Sequence, residues 1–220
     1  MVWIADMRKE LQDKREEVHS LQYSKEIKQN NYSYEDGVKF NKEKVVLIEY
    51  SKNKKETNYI IPDSVTSIGD NAFANCTSLR SITILDTVTS IGDRAFYGCT
   101  SLNNITIPEG VTSIGYASFT RCTSLTSITI SDSVTSIGER AFDGCKNLKS
   151  VTIGNSINSI GEHAFYRCNN LTTVIFLGDA PKLDNGVFVS GNPTIYRNPE
   201  AKGWGDTFAG RPVKLISEKP

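Results

Sequence analysis

Five stretches of this chain repeat one another at a strict spacing of 23 residues. The first runs from Pro62 to Ile84 and reads PDSVTSIGDNAFANCTSLRSITI. Val65, Val88, Val111, Val134 and Ile157 share one phase, and Ile68, Ile91, Ile114, Ile137 and Ile160 share another, each followed by glycine. Phe73, Phe96, Phe119, Phe142 and Phe165 form a third, and Cys76, Cys99, Cys122, Cys145 and Cys168 a fourth. Leu79, Leu102, Leu125, Leu148 and Leu171 complete the set. A period of this length implies a solenoid with one supersecondary unit per repeat. A single unit has too few inward side chains to offset the entropy of ordering it, so the coils must stack.

Three pieces are expected within each coil. In Ile82, Thr83 and Ile84 the alternation of a strand puts both isoleucines inside and the threonine outside. V-T-S-I is a second extended piece, ended by a glycine at a sharp turn. In D-x-A-F-x-x-C-x-x-L, residues such as Ala72, Cys76 and Leu79 fall at i, i+4 and i+7, which predicts one face of a short helix. The outward strand positions then define a candidate partner-binding face of Arg80, Thr83, Asn103, Thr106, Thr126, Thr129, Lys149 and Thr152. Its threonines are copied from coil to coil, whereas the column beginning at Arg80 varies. Variation among otherwise copied repeats is where a binding surface can be written. A second variable column, Ala74, Tyr97, Thr120, Asp143 and Tyr166, is the rival surface.

The flanks depart from the repeat. Residues 1–29 read as a charged amphipathic helix, with Ile4, Leu11 and Val18 spaced as heptads. This helix is expected to cap the solenoid or to self-associate through residues 3–28; otherwise it is loosely ordered or the remnant of a longer protein. Residues 30–60 read as an N-terminal cap, in which GVKF and VVLIEY form a hairpin and Tyr59 and Ile61 begin the first repeat strand. Residues 61–179 hold the five repeats, and 180–220 a degenerate repeat and C-terminal cap. There Leu183 and Phe188 keep their phases, Gly191 replaces the cysteine, and the strand TIY arrives early. Trp204 and Phe208 are expected to plug the last coil.

Composition bounds the chemistry. The 25 basic and 25 acidic side chains cancel, which argues against a nucleic-acid or anionic-membrane partner. No apolar run approaches the roughly 18 residues of a membrane span, so no membrane insertion is expected. MVWIADMRKELQ has no apolar h-region, so no signal peptide is expected there. Coils about 4.8 Å apart would allow disulfides on distance. The cysteines, however, point the same way and are odd in number, so they are expected as buried free thiols. No Cys/His cluster with zinc spacing is present and no catalytic constellation is visible, so neither metal, cofactor nor enzymatic activity is expected. His163 shares its phase with Asn71, Arg94, Ala117 and Arg140, which marks a solvent position. Asp70, Asp93, Glu139 and Glu162 are expected to cap the short helices rather than bind a cation.

L-x-x-I-x-I-x-x-x-V is close to the leucine-rich repeat consensus. The full unit, I-P-D-S-V-T-S-I-G-x-x-A-F-x-x-C-T-S-L-x-S-I-T-I, resembles the BspA type of that family over about residues 60–177, and GWGDTFAGRPV resembles its C-terminal caps. The resemblance implies an α/β fold, a right-handed solenoid with a parallel strand face, capped at both ends. It implies a non-catalytic, adhesin-like protein at a cell surface or secreted, used for attachment and protein binding; the strand face is expected to take a protein or glycan ligand. One departure is that the usual asparagine-ladder position holds Ser64, Thr87, Gly110, Ser133 and Ser156. The competing function is a structural spacer or assembly piece that oligomerises through the N-terminal helix.

Overall fold

The computed structural model describes Lys14 and residues 32–219. The chain winds into a β-solenoid of about seven turns with parallel strands. The expected N-terminal helix lies, Lys14 apart, outside the described residues.

The V-T-S-I pieces form two-residue strands, Ser67–Ile68, Ser90–Ile91, Ser113–Ile114, Ser136–Ile137 and Ser159–Ile160, followed by Lys182–Leu183. Each pairs in parallel with its copy one period away. This ladder continues into Val46–Tyr50, which pairs antiparallel with Val38–Asn41. The hairpin predicted from GVKF and VVLIEY is therefore present. An outer strand, Tyr32–Glu35, extends it to nine strands.

The I-T-I pieces stack on a second side, but not as one sheet. Asn58–Ile60, Ser81–Thr83 and Asn104–Ile105 form one ladder. Ser127–Ile130, Ser150–Ile153, Thr173–Phe176 and Thr194–Arg197 belong to another, which ends on Arg211–Leu215 and Thr207–Phe208. Between Asn104–Ile105 and Ser127–Ile130 the ladder is interrupted. Thr173 pairs with Thr194 rather than with the residue a full period on, which is the early strand of the decaying repeat.

The third side corrects an expectation. The segment D-x-A-F-x-x-C-x-x-L is not a helix in any coil; among the described residues the only helical element of the solenoid is a 3-10 turn at Ile216–Glu218. Over the described residues the chain is thus a β-solenoid and not the expected α/β fold. Its backbone explains why. Asn71 and Asn75 have φ of 57° and 60°, and Arg94, Arg121, Arg140 and Arg167 stand in the same left-handed region. A residue so twisted cannot continue a right-handed helix. The amides instead alternate. Ala72, Ala74 and Cys76 donate to carbonyls three residues back, whereas Asn71, Phe73 and Asn75 donate to Asp93, Ala95 and Tyr97 of the next coil. Half of the bonds close local turns and half tie coils together, so the backbone is satisfied without a helix.

The inward assignment stands. Every repeated Val, Ile, Phe, Cys and Leu phase is buried in one continuous core. The phenylalanine rings stack from Phe73 to Phe165 at centroid distances of 5.1–5.2 Å. Tyr50 and Phe188 extend the stack at its two ends. All five cysteines are free and buried. Each thiol donates to the carbonyl of the aromatic residue 26 positions earlier, as Cys99 does to Phe73 at 3.0 Å. At the far end Trp204 and Phe208 close over Phe176.

Candidate functional site

The structure places the sequence-predicted strand face on the surface. Arg80, Thr83, Asn103, Thr106, Thr126, Thr129 and Lys149 are exposed and Thr152 is half-buried. Thr129 stands directly opposite Thr152 in the ladder. The threonine column is not polar throughout. Thr83 pairs with Ile60, which is 67% exposed, and Thr152 pairs with Ile175. The interrupted ladder also falls between Asn104–Ile105 and Ser127–Ile130, so the hydrogen-bonded sheet beneath this face is in two parts.

The turn side carries a different geometry. A groove of about 890 Å³ runs along it from Asn71 and Ala74 in the first coil to Arg167 in the fifth. None of the eight strand-face residues lines it, but four members of the rival column do: Ala74, Tyr97, Thr120 and Asp143. The left-handed turn positions build its walls. Arg94 and Arg140 come from the phase of Asn71, and Arg121 and Arg167 from the phase of Asn75. Gly98 and Gly144 hold the intervening places in the second of these phases, at φ of 70° and 72°, where a side chain would be strained. Arginines therefore alternate between two columns, each reappearing after one coil is skipped.

Electrostatics set this groove apart. Five cations line it, the four arginines and Lys146, against one carboxylate, Asp143. Three arginines are laid over tyrosine rings. Arg94 sits 5.0 Å from the centroid of Tyr116, Arg121 5.7 Å from that of Tyr97, and Arg167 4.8 Å from that of Tyr166. Such stacking orients a guanidinium while leaving its N–H fork outward. The neighbouring acids are engaged elsewhere. Asp70 accepts the backbone N–H of Asp93, and Asp93 that of Tyr116, both at 2.8 Å. These aspartates cap the next coil, not a helix, which corrects the role expected of them. Glu139, by contrast, pairs with one of the groove arginines, Arg140, at 3.4 Å, in an ion pair that is nearly half exposed and open to exchange for a ligand anion.

The column of His163 is mixed rather than uniformly in solvent. Arg94 and Arg140 are exposed and His163 is half-buried, but Ala117 is 3% exposed. Among the described residues no group of three His, Cys, Asp or Glu side chains is placed to hold a metal ion. Among them, too, no helix is long and apolar enough to cross a membrane. The hydroxyls at the asparagine-ladder position reach back instead: Thr87 donates to Val65 at 3.0 Å and Ser133 to Val111 at 2.7 Å.

Sequence reasoning named the rival column and read Arg94 and Arg140 only as solvent positions, and it did not name Arg121 and Arg167. The signal was present in the repeat alignment, where arginine recurs at two variable phases of the supposed helix.

A family model described as the BspA type leucine rich repeat region matches residues 49–172 in six copies. A comparison with curated proteins gives no match. Among solved structures, the chain is similar to a leucine-rich cell surface protein from Faecalibacterium prausnitzii, at 33% identity and a TM-score of 0.64, over 66% of this chain and 39% of that one. A leucine-rich repeat protein from Eubacterium ventriosum is 28% identical, with a TM-score of 0.68 over 82% of this chain and 54% of its own. A third, a leucine-rich repeat protein from T. pallidum, is 26% identical, with a TM-score of 0.61 over 76% and 83%. The chain thus spans well under two thirds of the length of the first two.

Proposed function

The chain belongs to the BspA-type leucine-rich repeat family, and from that premise we propose that it is a non-catalytic recognition module. It binds a protein or glycan ligand through the solenoid surface, in the manner of an adhesin at a cell surface. One observation carries this proposal: a column of variable, exposed side chains, Arg80, Asn103, Thr126, Lys149 and Thr172, lies over a core whose residues are copied almost letter for letter. Close packing forbids variation inside, so the differences between coils are written where a partner can meet them. The likeness to a leucine-rich cell surface protein supports the location.

Two faces compete for the role. The strand face offers Arg80, Asn103, Thr126 and Lys149 over a floor of threonines, and the turn side offers concavity and charge. With a captured protein ligand, Arg80→Glu with Lys149→Glu is expected to weaken binding at an unchanged melting curve if the strand face is used. If that pair is silent and Tyr97→Ala with Tyr166→Ala abolishes binding, the turn side is the docking surface. Assembly through residues 3–28 is the second reading, favoured by the heptad spacing of Ile4, Leu11 and Val18. A mass measurement across concentrations, with and without that segment, separates it from recognition by a monomer.

A further inference from the structure

Resting on the recognition reading above, we propose that the turn-side groove holds a linear acidic polysaccharide, with its carboxylate or sulfate groups docked on Arg94, Arg121, Arg140 and Arg167.

The shape comes first. The groove crosses five coils, about 19 Å at the spacing of stacked strands. It follows the solenoid axis as a trough, which suits a long chain laid lengthwise. Each arginine column repeats after a skipped coil, about 9.5 Å on, and the two columns are staggered. An extended glycan with an anion on every sugar and a near two-fold twist turns those anions to alternate sides, so each side presents charge at a comparable interval and faces one arginine column. Guanidinium forks bind carboxylates and sulfates through paired N–H donors. Stacking on Tyr116, Tyr97 and Tyr166 holds three of these forks in place before the ligand arrives.

The chemistry of the walls disfavours other polyanions. An acidic peptide that added itself as a strand would need free backbone amides. Here the amides of Asn71, Phe73, Asn75, Arg94, Phe96 and Gly98 already donate to the next coil. A helical peptide would need an apolar trough, whereas this one is cationic. Single-stranded nucleic acid binds by stacking bases on bare aromatic faces, and the three tyrosine faces are covered by arginine.

The repeats supply their own variants. Asparagine stands at the phase of Arg94 and Arg140, and glycine at that of Arg121 and Arg167. The fourfold change Arg94→Asn, Arg121→Gly, Arg140→Asn and Arg167→Gly therefore uses residues this backbone already accepts. Binding of the full chain is measured by calorimetry against heparin, polygalacturonate, neutral dextran, polyglutamate and oligo-dT. Heparin or polygalacturonate is expected to bind with an affinity that falls as salt rises, dextran not at all, and polyglutamate and oligo-dT more weakly. Which of the first two is tighter separates sulfate from carboxylate recognition. The fourfold variant is expected to lose about tenfold or more in affinity at an unchanged melting temperature, while Lys42→Glu with Lys55→Glu, exposed in the N-terminal cap away from both faces, binds as before. The proposal is overturned if neither acidic glycan binds, if the fourfold variant binds them unchanged, or if polyglutamate or oligo-dT binds as tightly. Glycan failure alongside a protein ligand lost on reversing Arg80 and Lys149 would overturn this assignment but leave the recognition reading standing.

Discussion

The cysteine column shows how one residue type serves two needs at the same place. The side chain must be small and apolar enough to pack beside the phenylalanine stack, and its thiol must reach the carbonyl of the preceding coil. Burial pushes Cys76, Cys122 and Cys168 up to about 12, and Cys99 and Cys145 well above their ordinary 9.0. Because the thiolate is the reactive form, iodoacetamide is expected to label these residues only after denaturation; rapid labelling of the native chain would contradict their burial. The same shift makes stability fall with alkali. Above the ordinary thiol value the unfolded chain releases protons that the native chain keeps. This contribution is therefore complete below about pH 9 and declines as pH climbs toward 12. Melting temperatures between about pH 8 and about pH 10.5 should drop, and less steeply in Cys122→Ala, which starts lower but has one thiol fewer to ionise.

At the scale of the element, the turn run replaces a helix without giving up burial. Ala72, Phe73, Cys76 and Leu79 all point inward from successive turns. The tie between coils then falls to the amides that a helix would have used internally. Phe119 occupies the middle of this arrangement, within 5.1 Å of Phe96 and 5.2 Å of Phe142. Its ring contacts both neighbouring coils, so Phe119→Ala should cost about 3–5 kcal/mol in chemical denaturation. Thr129→Ala, on an exposed strand position, should stay within about 0.5 kcal/mol. Comparable losses at the two sites would mean that the stack is not what holds the coils together.

Over the whole molecule, one sheet is continuous and the other is not. The V-T-S-I ladder runs unbroken from the N-terminal hairpin to Lys182–Leu183, while the I-T-I ladder is interrupted after Asn104–Ile105. Backbone groups at that seam lack ladder partners, and exchange protection follows such bonds. Amides of Ser127–Ile130 that face the seam should therefore exchange faster than their equivalents in Ser150–Ile153, a difference native-state hydrogen exchange resolves residue by residue. Uniform protection across both strands would show that the ladder closes in solution. Charge is likewise uneven at this scale. A formal balance of zero over the chain coexists with five cations against one acid along a single groove, because stacking sorts side chains by phase.

What the sequence by itself determined follows from its periodicity. A strict 23-residue repeat with copied apolar phases dictates stacked coils, the identity of the core and the buried thiols, since only shared burial stabilises each coil. The decay after Leu171 likewise marks where Trp204 and Phe208 must close the core. Three matters were left to the tertiary structure. The i, i+4, i+7 spacing of Ala72, Cys76 and Leu79 fits a helix face and a run of turns equally well, and the left-handed φ values of Asn71 and Asn75 decided between them. The strand face looked uniform because its threonines are copied letter for letter, yet the hydrogen-bonded sheet beneath it is in two parts. The groove needed both columns of arginines at once. Arg94, Arg121, Arg140 and Arg167 lie far apart along the chain, and only the winding of the coils brings them side by side.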